Sequence, residues 1–92
     1  MKLLSVVIPV FNVESFIERC IRSLENQDIQ PHEYEIICVN DGSTDNSWEV
    51  LTRLSHEYNN IILVDQMNQG VSVARNVVFE KAKGQYALFI FV

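Results

Sequence analysis

The fold class of this chain follows most clearly from residues 34–45, YEIICVNDGSTD. Its first six residues form a largely apolar run that suits a strand covered on both faces of a parallel sheet. NDGSTD, residues 40–45, is a polar turn. A helical pattern follows, and we expect Ser43 or Thr44 to cap it. Its apolar positions, at spacings of three and four, are Trp48, Leu51, Leu54 and Tyr58.

The segment before this stretch repeats the same order of strand and helix. Residues 3–10 are almost continuously apolar and predict a first strand. A helix follows, for which Asn12 is the expected N-cap. Its apolar positions recur at helical spacing and are Phe16, Ile17, Cys20, Ile21 and Leu24.

The segment after it continues the alternation. Residues 61–64 predict a short third strand, and a third helix is expected from about residue 70 to 83, with Gly84 as its C-terminal cap. Residues 86–92 predict a fourth apolar strand. The order β-α-β-α-β-α-β predicts an α/β, Rossmann-like parallel sheet with helices on both faces. The chain ends on its most hydrophobic strand, so we expect one partial domain, residues 1–92, truncated after the fourth strand.

Composition excludes several classes of protein. The formal net charge is -5 and no basic run occurs, which disfavours a nucleic-acid partner. Two cysteines, Cys20 and Cys38, are too few for a disulfide scaffold and fall on predicted apolar faces, as expected for core thiols in a reducing compartment. No stretch approaches the ~18 apolar residues of a membrane span. We therefore expect a cytoplasmic protein.

Ligands of open parallel sheets bind at the carboxyl ends of the strands, so the polar residues there are the candidates. Asp41 can accept a base N–H or a ribose hydroxyl, with Gly42 free to adopt a positive φ, or it can close an Asx-turn. Phe11 can stack on a base or serve as a core residue. Arg75 can clamp a diphosphate or lie in solvent on a helix face. Asp45 is assigned a structural role.

Other familiar sites are missing from the sequence. It contains neither G-x-G-x-x-G after the first strand nor G-x-x-x-x-G-K-[ST], which argues against dinucleotide and P-loop binding. His32 and His56 have no metal-ligand spacing with the cysteines. No Ser, His and Asp arrangement suggests a hydrolase.

Three motifs together resemble family 2 of the glycosyltransferases, which have the GT-A fold. They are SVVIPVFN at residues 5–12, VNDGSTD at 39–45 and NQGVSVARN at 68–76. The similarity runs from Leu4 to about Ile90. It implies that the chain is the nucleotide-binding half of an enzyme that transfers a sugar from a nucleotide-diphospho-sugar to an acceptor hydroxyl. The first candidate donor is a UDP-sugar, and the transfer is expected to invert the configuration at the anomeric carbon.

The resemblance also implies which residues contact the donor. Phe11 matches the aromatic that packs against the base, Asp41 the aspartate that hydrogen-bonds it, and Arg75 the segment along the diphosphate. The implied nucleotide-sugar-binding set is Pro9, Phe11, Asn12, Asn40, Asp41, Gly70 and Arg75. In the full-length enzyme, a carboxylate base is expected to deprotonate the acceptor, and Mn²⁺ or Mg²⁺ on an Asp-x-Asp motif to neutralise the departing diphosphate.

The chain departs from the family where that motif is expected, because Phe91 stands in place of the first acidic residue and Val92 is last. We therefore expect the metal ligands and the catalytic base to lie outside this chain, which alone is expected to be inactive. The family implies polysaccharide assembly at the inner face of the membrane. An alternative is a non-catalytic α/β module that associates, for example with a second copy, through its terminal strand.

Overall fold

The computed structural model describes residues 2–27, 30–67 and 83–91. In these ranges the elements are β1 Lys2–Val10, α1 Glu14–Glu25, a 3₁₀ turn Pro31–Glu33, β2 Tyr34–Asp41, α2 Ser47–Glu57, β3 Ile61–Gln66 and β4 Gly84–Phe89. The strands form one parallel sheet in the order β3-β2-β1-β4. This confirms the predicted α/β, Rossmann-like class. The third helix expected at residues 70–83 falls almost wholly outside the described residues.

The core lies mainly on one face of the sheet, where both described helices pack. Its buried members alternate along β1 and β2 and recur on the helices: Val6, Ile8, Val10, Ile17, Ile21, Tyr34, Ile36, Cys38, Leu51 and Leu54. Burying each such aliphatic side chain contributes about 1.5–3 kcal/mol. A smaller cluster of Val7, Ile37 and Val39 is fully buried on the opposite face. Burial of both faces explains the continuous apolar runs of the central strands.

The stripe that α1 buries is narrower than its sequence pattern indicates. Ile17 and Ile21, one turn apart, are fully buried, whereas Phe16 is 61% exposed. The expectation that Phe16 packs in the core is therefore wrong. Phe16 lies about 100° from Ile17 around the helix axis, so its ring lies outside the stripe of α1 that packs against the sheet.

The start of α2 also differs from expectation. The helix begins at Ser47 and Asn46 flanks it, so neither Ser43 nor Thr44 is its N-cap. Asp45 supplies the anchoring oxygen instead, because its Oδ1 accepts the Ser47 N–H at 2.9 Å. The cap falls later than expected because the loop first forms contacts with the end of β1.

The prediction that Gly84 caps a helix is wrong, since Gly84 is the first residue of β4 and lies opposite Lys2. A Cβ built on Gly84 would come within 2.5 Å of the Ser5 nitrogen and 2.6 Å of the Leu4 carbonyl carbon. Only glycine allows the two backbones to approach this closely. β4 therefore begins two residues earlier than predicted and ends at Phe89.

A buried polar network at the amino ends of the strands explains the charged residue in β2. Glu35 is 2% exposed, and its Oε2 accepts hydrogen bonds from Ser5 Oγ at 2.6 Å and from the Lys83 N–H at 2.7 Å. Gly84 N–H in turn donates to Ser5 Oγ at 2.9 Å. A buried carboxylate is tolerated when hydrogen bonds replace its water, and here they join β1, β2 and β4.

In the part of the chain that the structure describes, neither α1 nor α2 is long and apolar enough to cross a bilayer.

Candidate functional site

Three strands end together at one edge of the sheet. The last aligned pairs are Val10 with Asn40 and Asp41 with Gln66. We call this edge the strand-end rim and define it as residues 9–13, 40–46 and 65–67. It corresponds to the carboxyl ends of parallel strands, where ligands of open α/β sheets bind.

Pro9 lies within β1 rather than at its end. It is aligned with Val39 on the β2 side, while the pairing of β4 with β1 stops at Val7, whose carbonyl accepts the Ile90 N–H at 2.8 Å. Proline has no N–H to donate, and a position where the described strands leave one side open suits it.

Phe11 follows the last residue of β1 and is 48% exposed. Its ring is not among the buried core residues that the structure describes. Val10 is aligned with Asn40, so Phe11 and Asp41, the residues that come next, lie at the same edge of the sheet. The aromatic ring and the carboxylate therefore belong to adjacent positions of the rim.

Asn12 connects the first loop to the second and is not the N-cap of α1, because Val13 precedes that helix. Its φ is 51°, in the left-handed region. Its Oδ1 accepts the N–H of Thr44 at 2.7 Å and of Asp45 at 3.3 Å, and its own N–H donates to Ser43 Oγ at 3.1 Å. Bonds to the other loop occupy the oxygen that was expected to cap α1.

Asp45 extends this connection to both helices. Its Oδ2 accepts the Glu14 N–H at 3.2 Å and its Oδ1 the Ser47 N–H at 2.9 Å, so one carboxylate serves the first residues of α1 and α2. A hydrogen bond with the Ser47 side chain and, after it, those with the backbone of Ser47 and Glu14 lower the pKa of Asp45. Negative charge is also favourable at helix N-termini. The structural role assigned to Asp45 is confirmed.

Asp41 ends β2 and is half-buried. The Gln66 Nε2 donates to its Oδ1 at 2.9 Å. Gly42, which follows, has a φ of 72°, as its place in the turn predicts. The sequence places Gln66 after the third strand, which was expected to end at Val64, and so did not align it with Asp41.

Asn40 lies on the other face from Asp41, since side chains of neighbouring strand residues point to opposite sides. It is 3% exposed, and its Nδ2 donates to Asp65 Oδ1 at 2.9 Å. Its Oδ1 is buried without a partner among the residues described. Asn40 is therefore next to Asp41 along the backbone, as expected, but the two side chains lie on opposite faces of the sheet.

A cleft of about 500 Å³ opens at the rim. Its described lining residues are Asn40, Gly42, Ser43, Trp48, Asp65, Gln66 and Met67. Trp48, a residue of α2, forms one wall of the cleft on the face of the sheet that carries Asn40.

The remaining candidates, Gly70 and Arg75, lie outside the described residues, so the meeting of Arg75 with Phe11 and Asp41 stays a prediction. Within residues 2–27, 30–67 and 83–91, no three His, Cys, Asp or Glu side chains cluster closely enough to hold a metal ion. The residues described here therefore do not fit the divalent cation that the resemblance implies, and none is assigned to it.

Comparison with known proteins relates this geometry to a family. The family model described as glycosyl transferase family 2 matches residues 5–90. The chain is 40% identical over 89 residues to the poly(ribitol-phosphate) beta-glucosyltransferase of Bacillus spizizenii, covering 95% of this chain and 14% of that protein. It is 41% identical over 88 residues to the uncharacterized glycosyltransferase EpsJ of Bacillus subtilis, covering 96% of this chain and 25% of that protein.

Solved structures are similar over nearly the whole chain. Residues 1–349 of Staphylococcus aureus TarS in complex with UDP superpose with a TM-score of 0.86 at 31% identity, covering 99% of this chain and 27% of that one. The TarS complex with UDP-GlcNAc gives 0.86 at 30% identity, covering 99% and 26%. The mannosyltransferase PcManGT of Pyrobaculum calidifontis, in complex with GDP-Man and Mn²⁺, gives 0.83 at 24% identity, covering 89% and 25%, which is a likeness of fold alone.

Proposed function

The chain belongs to glycosyl transferase family 2. We propose that its strand-end rim binds the nucleotide of a sugar-nucleotide donor, and that the first candidate donor is a UDP-sugar. The observation that carries the proposal is that the exposed Phe11 follows Val10 at the end of β1, while Asp41 follows Asn40, the aligned partner of Val10, at the end of β2.

The chemistry of these two side chains suits a uracil base. A carboxylate oxygen accepts the imide N–H of uracil, and an aromatic ring packs against the flat face of the base. Gly42, directly after Asp41, has a positive φ that turns the backbone, and as a glycine it has no side chain that could obstruct the ligand.

The other members of the site are proposed with supporting roles. Asn12 is proposed to hold the loop after β1, and Pro9 to lie in the strand before that loop. Asn40 is proposed to stabilise the end of β2 from the face opposite Asp41. Gly70 and Arg75 are proposed to lie along the diphosphate, as the family resemblance implies. The TarS complexes with UDP and UDP-GlcNAc support a uridine nucleotide as the first ligand to test.

For the whole protein we propose a hexosyltransferase-type reaction. The acceptor hydroxyl, deprotonated by a carboxylate base, attacks the anomeric carbon, and the nucleoside diphosphate leaves from the opposite side with inversion. A divalent cation, Mn²⁺ or Mg²⁺, would stabilise the charge on that leaving group. The base and the cation ligands are not assigned to any described residue. A cytoplasmic site of action, in polysaccharide assembly, and inactivity of these 92 residues alone are part of the same proposal.

Calorimetric titration of the folded chain tests the nucleotide site. UDP, GDP and UDP-sugars are titrated with and without Mn²⁺, and we expect heat of binding with UDP. Asp41→Asn removes the charged acceptor and is expected to weaken UDP binding about tenfold, the equivalent of a charge-assisted hydrogen bond. Glu49→Gln, an exposed charge change on α2, is the matched control. No heat with any nucleotide, from a sample shown to be folded by circular dichroism, would contradict the proposal.

The alternative function, association through the terminal strand, has one specific observation in its favour. β4 is an edge strand of the described sheet, and it exposes Tyr86 by 66% and Leu88 by 48%. Exposed apolar edge strands favour pairing with another chain. Sedimentation velocity over a wide concentration range separates the two ideas, because a strict monomer at high concentration removes the basis of this alternative.

A further inference from the structure

We infer that Gln66 is a positioning residue for Asp41, and that the pair selects bases carrying a ring N–H beside a carbonyl. The inference rests on the proposed nucleotide site and names the class of base that the site takes. No motif in the sequence singled out Gln66.

The contact between the two side chains is direct and local. Asp41 and Gln66 are aligned partners at the ends of β2 and β3, and the Gln66 Nε2 donates to Asp41 Oδ1 at 2.9 Å. Neither residue is fully exposed, and the Gln66 Oε1 is shielded from solvent without a partner among the described residues. Partial burial lets this hydrogen bond hold the carboxylate better than a solvated one would.

The orientation of the Gln66 amide is fixed by the chemistry of its partner. An ionised carboxylate only accepts hydrogen bonds, so the amide must direct its NH₂ group, not its oxygen, toward Asp41. In return, a hydrogen bond donated to a carboxylate favours the charged form. Gln66 thus holds the plane of the Asp41 carboxyl group.

An acceptor-only carboxylate discriminates between bases. Uracil and guanine carry a ring N–H next to a carbonyl and complement it. The corresponding ring nitrogens of cytosine and adenine are acceptors that face the carboxylate unfavourably, and these bases can offer it only their exocyclic amino group. Such mismatches reject a ligand more strongly than missing apolar contacts do. We therefore expect UDP and GDP to bind and CDP and ADP to bind at least about tenfold more weakly.

A second amide–carboxylate pair joins β2 and β3 on the opposite face of the sheet. Asp65 and Asn40 are joined by a hydrogen bond of the same 2.9 Å length, but there the carboxylate is on β3 and the amide on β2. The amide and the carboxylate have exchanged strands between the two faces. Only the Asp41–Gln66 pair places its carboxylate on β2, the strand aligned with the end of β1.

The test uses UDP binding to the 92-residue chain, followed by amide NMR shifts or calorimetry from pH 8 to pH 5. Gln66→Leu removes the donor and is expected to weaken UDP binding about fivefold at every pH. Gln66→Glu sets two carboxylates side by side. Their repulsion is expected to weaken binding about tenfold at pH 8, and uptake of one shared proton restores a donor to Asp41 as the pH falls. Ratios to wild type cancel the titration of the UDP phosphate.

Gln30→Glu, an exposed position before β2 at the other end of the sheet, is the matched charge control and should show a ratio near one throughout. If wild type binds UDP while both Gln66 variants bind equally well at all pH values, the role of Gln66 is overturned and the proposed function stands. If wild type binds no nucleotide, the proposed function itself fails. A Gln66→Leu chain that does not fold leaves the pH-dependent recovery of Gln66→Glu as the deciding result, and a flat ratio there overturns the inference.

Discussion

The side-chain oxygen of Asn12 accepts the backbone N–H of Thr44 at 2.7 Å, across 32 residues of sequence. This contact joins the loop after β1 to the loop after β2. Asn12 holds a positive φ of 51° while doing so. Asparagine tolerates that conformation better than most residues, and its amide supplies the acceptor. The Asn12 side chain therefore helps to fix the loop that carries Phe11 against the loop that follows Asp41.

Substitution of Asn12 separates its backbone and side-chain roles. Asn12→Gly keeps the positive φ and loses the acceptor, and we expect a loss of about 1 kcal/mol in the free energy of unfolding. Asn12→Ala loses both and is expected to cost about 2 kcal/mol. Asn12→Asp keeps both and should remain close to wild type. Urea denaturation measures all three, and equal stability of the alanine and glycine variants would contradict the strained φ.

Gly84 is expected to tolerate no side chain. In Gly84→Ala the new Cβ would meet the Ser5 nitrogen at 2.5 Å, which forces β4 away from β1. We expect a loss of about 3 kcal/mol in the free energy of unfolding, typical of severe overpacking. Adding Ser5→Ala removes only the hydroxyl contact, so the double variant should not recover. Recovery in the double variant would mean that the backbone contact is unimportant.

The charged network between α1 and α2 makes stability depend on pH. Hydrogen bonds from Arg53 and Arg22 lower the pKa of Glu18 from 4.5 to about 2. Because the folded pKa is depressed, this stabilisation is present above pH 4.5 and is lost as the pH falls toward 2. Glu18→Gln should therefore lose less stability than wild type over that interval. Glu49→Gln removes a carboxylate outside the network and is the control.

The readout for this prediction is thermal unfolding at several pH values and two salt concentrations. The pairs are solvent-accessible, with Arg53 Nη2 2.6 Å from Glu18 Oε1, so added salt should reduce the difference between wild type and Glu18→Gln. A difference that is independent of both pH and salt would show that Glu18 contributes through packing alone.

The two cysteines should differ sharply in reactivity. Burial raises the pKa of Cys38 to about 12 and also raises the pKa of the half-buried Cys20. Since the thiolate is the nucleophile, Cys38 should react with iodoacetamide at pH 8 only when the chain unfolds, and Cys20 should react first. Mass spectrometry of peptides from native and urea-treated samples measures this order. Equal native rates would contradict the burial of Cys38.

Most of the fold was predictable because it depends on local pattern. Alternation of apolar runs and helical spacing gave the parallel α/β class, and the spacing of Ile17 and Ile21 gave the buried side of α1. Phe16 was misjudged, since the pattern does not show how wide a stripe the sheet can cover. Gly84 was misjudged because its role is a contact with Ser5, 79 residues away, which no local rule detects.

The site was predictable at the level of which strand ends matter, and less so at the level of side chains. Asp41, Phe11 and Gly42 were found from their places after apolar runs. Asn12 was taken for a cap, because helix capping is a local habit of asparagine while its actual partner is Thr44. Extending the third strand by two residues would have set Gln66 opposite Asp41, and this register is the signal that the sequence offered.

An amide NMR map of the chain titrated with UDP shows whether the strand-end rim binds the nucleotide. We expect shifts concentrated at Phe11, Asp41 and Gly42, and their loss in Asp41→Asn. Shifts confined to the amino-end network around Glu35, or shifts at the rim that persist unchanged in Asp41→Asn, would contradict it.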